Sequence, residues 1–154
     1  MTPWWEVLGR LLLAMLLGGI IGWERERADK PAGFRTLIIV SIAAAIFVLA
    51  AQEAAQIAGE SMEHVRAMTG IVGGVGFLGA GIIMRSQGEV RWLTTAATVW
   101  GAAALGMASG MGMYLIAIAG GVLILVTLCL LPSVETLAHR RSKRCDEPPE
   151  KPKP

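Results

Sequence analysis

Gly70-Ile-Val-Gly-Gly-Val-Gly-Phe-Leu-Gly-Ala-Gly-Ile-Ile-Met-Arg85 is the stretch whose reading decides the fold. Six glycines in sixteen residues would oppose a helix in water, where each costs about 1 kcal/mol relative to alanine. The stretch is otherwise apolar until Arg85 closes it. In a bilayer every backbone N–H and C=O must be satisfied internally, so an apolar run is driven into a helix despite its glycines. Gly70 and Gly74 stand four apart, as do Gly76 and Ala80, and Gly79 and Gly81 extend the row. Small residues at that spacing let neighbouring backbones approach closely. The pattern predicts the central helix of a small membrane bundle over Gly70–Met84, with other helices packed on several of its sides.

The surrounding sequence has the same character. The chain has 154 residues, 54% of them hydrophobic, a membrane-protein composition. Leu93 to Val134 is 42 residues without one charge, enough for two spans of about 20 residues each. Charges crowd instead into Glu24–Arg35, Arg85–Arg91 and the tail after Val134. Cys129 falls in a span and Cys145 in the basic tail, so no disulfide is predicted. The first apolar run lacks a basic leader and a small-residue cleavage site, so it is expected to remain as a helix.

Five helices follow in order. The first is predicted at about Val7–Trp23, with Glu6 and Arg10 one turn apart and able to pair, and with Gly18 and Gly22 forming another small-residue face. The second begins near Arg35-Thr36 and runs past Leu49 until Gly59 ends it. Ser61 is the expected N-cap of the third. Arg85–Arg91 is a short basic loop. The fourth, Leu93–Ala108, is the least hydrophobic and is expected inside the bundle; a tight turn at Ser109–Gly112 follows. The fifth, Met113–Leu131, ends at Pro132. Residues 1–134 thus form the transmembrane domain, and 135–154 a basic, Pro-rich, mostly disordered tail. Lys and Arg near the span ends place the amino terminus outside and the carboxyl terminus in the cytoplasm. The fold class is an all-α polytopic membrane bundle of five transmembrane helices.

That threading gathers Glu24, Arg25, Lys30, Arg35, Thr36, Arg85, Thr94 and Thr95 at the cytoplasmic face. Single charges at span ends commonly act as interfacial anchors. Together, with the N-termini of two helices, they would form a polar pocket suited to an anion, either a lipid headgroup phosphate or a partner's carboxylate. A cation path finds no support: the spans offer no Asp or Glu, and Glu24 and Glu26 are expected to pair with neighbouring arginines. No metal site and no cofactor is predicted. His64 and His139 lie on opposite sides, and no nucleophile–base pair is visible, so catalysis is not expected.

Four motifs resemble the MgtC/SapB family of bacterial inner-membrane proteins: Gly18-Gly-Ile-Ile-Gly-Trp-Glu-Arg25, Lys30-Pro-Ala-Gly-Phe-Arg-Thr36, Gly74-Val-Gly-Phe-Leu-Gly-Ala-Gly81 followed by Arg85, and Leu93-Thr-Thr-Ala-Ala-Thr-Val-Trp100. The resemblance implies a five-helix domain in the inner (plasma) membrane, adaptation to low Mg²⁺, and, in pathogens, virulence. It also implies restraint of the F-type ATP synthase as a membrane partner. Longer members continue into a soluble domain resembling ACT domains, whereas about twenty residues follow the fifth span here. The sequence therefore predicts a non-enzymatic membrane protein that binds a membrane partner. The alternatives are a transporter or channel for Mg²⁺ or another small ion, and a lipid-binding structural protein. Membrane lipids and a second copy are further expected partners; nucleic acid is not.

Overall fold

A computed structural model describes residues 3–58, 63–86 and 89–145, with side chains placed at 3–58, 68–84 and 90–130. Five helices make up most of the described residues: α1 (Trp4–Arg27), α2 (Phe34–Ala58), α3 (Glu63–Ile82), α4 (Leu93–Gly110) and α5 (Tyr114–Cys145). Between α3 and α4, β1 (Met84–Ser86) and β2 (Glu89–Arg91) pair antiparallel, with Arg85 opposite Val90. The stretch expected to be a plain loop is thus a two-stranded ladder. The expected helix stops at Gly59 and Ser61 fall outside the described residues.

α4 occupies the centre, touching α1, α2, α3 and α5. Its composition explains this. Thr95, Ala96, Thr98, Ala102, Ala103, Gly106, Ser109 and Gly110 are all buried, and small side chains let four neighbours close on one helix. The close approaches are backbone to backbone. A Cβ at Gly106 would fall 2.0 Å from Ser41 O, and one at Gly110 would fall 2.8 Å from Ala45 O. On the other side of α2, a Cβ at Gly18 would lie 2.7 Å from Leu37 O and one at Gly22 2.7 Å from Phe34 Cα. Ser41 is fully buried where α1, α2 and α4 converge, and its hydroxyl donates to Ala14 O at 2.8 Å.

The central position expected for the glycine-rich helix is therefore corrected. α3 packs through Ile71, Val75 and Gly79, which repeat every four residues, against α2 and α4. A Cβ at Gly79 would make ordinary contacts with Ala96, at 3.7 and 3.8 Å. At Gly70, Gly73, Gly74, Gly76 and Gly81 nothing lies within 4 Å of that position. Small-residue spacing marks where a helix could approach; here the bundle fills only one stripe of α3.

Contacts along the helices show alternating directions. Gly18 meets Leu37 and Gly22 meets Phe34, so α1 and α2 are antiparallel; Gly106 meets Ser41 and Gly110 meets Ala45, so α2 and α4 run the same way. Gly101 lies beside Ile124 and Gly120 beside Leu105, which sets α5 against α4. One end of the bundle thus collects the last turns of α1 and α3 with the first turns of α2 and α4.

Two helix ends close with the same hydrogen-bond pattern. After α1, Lys30 N–H donates to Arg25 O and Asp29 N–H to Glu26 O, with Asp29 left-handed at φ 58°. After α4, Met113 N–H donates to Ala108 O and Gly112 N–H to Ser109 O, with Gly112 at φ 75°. Both are Schellman closures, which satisfy carbonyls the helix leaves unpaired. The turn expected at Ser109–Gly112 takes this form. The fifth helix does not stop before Pro132 but continues to Cys145. A proline removes one N–H bond, and the strong helix formers after it, among them Glu135, Leu137, Ala138 and Arg140, sustain the helix.

Candidate functional site

At the end where α1 finishes and α4 begins, a cleft of about 800 Å³ opens between α1, the β2–α4 connection and α5. Glu24, Arg25, Arg27 and Lys30 line it from the α1 end, Thr94 and Thr95 from the first turn of α4, and Leu128 and Cys129 from α5. Of the sequence-derived candidates, Glu24, Arg25, Lys30, Thr94 and Thr95 meet in this cavity. Arg25 is 4% exposed. A buried guanidinium needs a partner, and Glu24 supplies it: its carboxylate accepts from Arg25 Nε and, at 2.7 Å, from Arg25 Nη2. This fork-to-fork geometry fixes both side chains at the mouth of α1. Glu24 is thereby occupied, while Arg27 and Lys30 project at the surface.

Arg35 and Thr36 sit at the same end but are exposed on the first turn of α2, outside the cleft lining. The helical period explains the departure. Leu37 and Ser41 point into the α1–α4 contact and are fully buried, which turns positions 35 and 36 outward. Arg85 lies in β1; its side chain falls outside the described residues. Glu26, expected beside the arginines, has another role. Its Oε2 accepts from Phe34 N–H at 2.8 Å, capping the start of α2 from the preceding helix.

Sequence reading did not find Arg27, Trp92 and Cys129 as cleft residues. Trp92 precedes α4 with φ 65° and provides no side-chain cap. A non-glycine residue held left-handed is a local signal that only coordinates reveal. Arg27 stacks over the Trp23 ring at 5.3 Å, a pairing that i, i+4 spacing does foreshadow.

A second polar cluster lies at the opposite end. Arg10 is 9% exposed; it pairs with Glu6 at 2.5 Å, as the one-turn spacing predicts, and its Nη1 also donates to Gly110 O at 2.8 Å and to Gln52 Oε1 at 3.3 Å. Gly110 is the last residue of α4, so Arg10 places a cation on the negative end of that helix. Among the described residues no group of three His, Cys, Asp or Glu side chains converges.

The chain matches the model of the MgtC family over residues 11–137. It is 43% identical over 121 residues to the protein MgtC of Salmonella typhimurium, covering 79% of this chain and 50% of that one. It is 38% identical over 134 residues to the protein SapB of Bacillus subtilis, covering 84% of this chain and 58% of SapB. The protein SrpB of Synechococcus elongatus is 37% identical over 150 residues, with 90% of this chain and 81% of SrpB covered. The chain thus spans between half and three-fifths of the length of the first two relatives. No solved structure matches it. With four-fifths of its length inside the family model and identities near 40% to relatives in distant bacteria, the chain belongs to the MgtC family.

Proposed function

We propose that this chain is a multi-pass protein of the bacterial inner membrane that acts by binding, not catalysis, in adaptation to low Mg²⁺. The apolar outer shell of the bundle carries this conclusion. Leu115 on α5 and Phe77 on α3 are each 81% exposed, and Leu12 and Leu16 on α1, Ile39 and Phe47 on α2, and Leu123 and Leu130 on α5 are exposed to a lesser degree. Water does not favour so continuous an apolar surface, and lipid does. α1 and α2 are long and apolar enough to cross a membrane, at about 36 Å each against a hydrocarbon core of about 30 Å. The alternating directions of the helices supply the matching back-and-forth thread.

The end that holds the cleft is the cytoplasmic one, because Arg25, Arg27, Lys30, Arg35 and Arg91 gather there, whereas Arg10 is at the other. Residues 1–134 are the membrane domain and 135–154 extend into the cytoplasm. The partner is another membrane protein, for which the family resemblance nominates the F-type ATP synthase. The open glycine face of α3 is where a partner helix could approach closely.

Crosslinking in native membranes followed by identification of co-purifying proteins tests this. A membrane complex captured by the wild type and lost with Gly74→Leu, on the open face of α3, is the expected result. Saturable Mg²⁺ movement into proteoliposomes, abolished by Glu24→Gln, would replace binding by transport.

A further inference from the structure

We propose that the basic cleft and a groove that continues from it form a site for one anionic phospholipid, headgroup in the cleft and acyl chain along α4 and α5. The groove is about 280 Å³ and is lined by Ala97, Thr98, Gly101, Leu123 and Ile124. Thr94 and Leu128 line both cavities, so the two adjoin at these residues. The cleft is the polar half. Arg25, Arg27 and Lys30 face it with Glu24 the single carboxylate among the described residues, and that carboxylate is spent on Arg25. Two exposed cations therefore remain for an incoming phosphate, to which charge-assisted hydrogen bonds are strong. The start of α4, which has no side-chain cap, adds the positive end of a helix dipole.

The groove is the apolar half. Two of its three threonine hydroxyls are turned back on their own helices: Thr98 Oγ1 donates to Thr94 O and Thr127 Oγ1 to Leu123 O, each at 2.8 Å, and the third, Thr94, stands at the border with the cleft. What remains is a hydrocarbon channel, and Gly101 keeps its floor low. Ala97 and Leu123 are exposed along it, so a chain could enter sideways from the bilayer. From Thr94 to Gly101 the groove follows α4 for about 10 Å, away from the charged end. A free phosphate would use only the cleft, and a neutral lipid only the groove. The adjoining pair suits a molecule with both parts.

The site depends on the bundle lying in a membrane with its cleft at the aqueous edge. That premise is checked separately, by whether the protein fractionates with membranes and resists alkaline extraction. The test proper uses purified, delipidated protein in detergent, with native mass spectrometry and thermal melting. Dioleoyl phosphatidylglycerol, dioleoyl phosphatidylcholine and inorganic phosphate are titrated in parallel. Phosphatidylglycerol should bind with one-to-one stoichiometry, roughly tenfold tighter than phosphatidylcholine, and phosphate alone should not raise the melting temperature. Arg27→Gln combined with Lys30→Gln, both exposed, should erase the preference for phosphatidylglycerol. Ala97→Phe, which fills the groove from its exposed side, should weaken binding of the diacyl lipid without lowering the melting temperature of the lipid-free protein. Equal binding of the two lipids, stabilisation by phosphate as large as by phosphatidylglycerol, or unchanged lipid binding in Ala97→Phe would each overturn the assignment, even with the protein firmly in the membrane.

Discussion

Gly106 has no Cβ, and the place where one would stand is 2.0 Å from the carbonyl oxygen of Ser41. α4 and α2 meet there with nothing between their backbones, and the contact sets how deeply the central helix is seated. Even alanine must push the helices apart. Gly106→Ala is expected to destabilise the bundle at the upper end of the overpacking range, about 3 kcal/mol, seen as a lower melting temperature in detergent. The same change at Gly76 or Gly81, where nothing lies within 4 Å, should leave the protein as stable or more so, by up to about 1 kcal/mol of helix propensity. Melting curves of Gly106→Ala and Gly76→Ala that coincide would refute the packing described.

This contrast bears on what the sequence can tell. Helix number and the burial of α4 were legible because small and polar residues in an otherwise apolar span suit neighbours better than lipid. The Glu6–Arg10 pair was legible because it is local. Gly70-xxx-Gly74 misdirected the reading: a row of small residues states that a close neighbour is possible, and only the tertiary fold decides whether one arrives. Gly106 and Gly110 have the same four-residue spacing, and there a neighbouring backbone does arrive. Within the cleft, Glu24, Arg25 and Lys30 followed from the threading, as did Thr94 and Thr95. Arg35 and Thr36 did not, because the phase of α2 is set by Ser41 and Leu37 packing inward, and a list of span-end residues carries no phase. Arg10 reaching Gly110, a hundred positions away, lies beyond any local rule.

Arg10 should be required for stability. Replacing it by methionine leaves Gly110 O and the Gln52 amide without their donor, and leaves Glu6 without its counter-charge. A buried acceptor deprived of its partner costs about 1–3 kcal/mol. Arg10→Lys keeps the charge but not the fork that reaches several acceptors at once, so it should recover only part of the loss. Glu6→Gln, on a half-exposed partner, should cost less than either. Thermal melting of the three variants checks the order, and Arg10→Met melting with the wild type would rule out the cap on α4.

Gly112 adds a related expectation. It is left-handed at φ 75°, and a Cβ there would come 3.0 Å from Arg10 Nη2. Gly112→Ala therefore meets backbone strain of about 1–2 kcal/mol and also displaces the guanidinium from Gly110 O. The double variant Gly112→Ala with Arg10→Met should lose less than the sum of the singles, since the second change removes the group the first displaces. Strict additivity in a double-mutant cycle would show that the two residues do not communicate.

Glu26 bridges α1 and α2 through a single cap on Phe34 N–H. Glu26→Ala should cost about 1 kcal/mol, the usual worth of an N-terminal cap. Glu26→Gln should cost less, because an amide oxygen still accepts but without the charge that favours a helix start. The difference between the two variants should shrink in high salt, which screens an exposed charge. Equal melting temperatures for alanine and wild type would mean that Gly33 and Phe34 hold the turn without help.

The orientation proposed for the bundle is open to a direct check by labelling. With Cys129 and Cys145 changed to serine, single cysteines at Lys30, Val90 and Met113 provide three exposed reporters. Lys30 and Val90 line the same cleft, so they must react with a membrane-impermeant maleimide from the same side. Met113 follows the last turn of α4 at the opposite end and must react from the other. Inverted vesicles should label the Lys30→Cys and Val90→Cys proteins, and intact spheroplasts should label Met113→Cys. Labelling of all three from one side would mean that α4 does not cross the membrane. Labelling of Lys30→Cys and Val90→Cys from opposite sides is incompatible with a shared cleft. If inside and outside were merely exchanged, the fold would stand, and the clustering of arginines at the cleft end would no longer mark the cytoplasm.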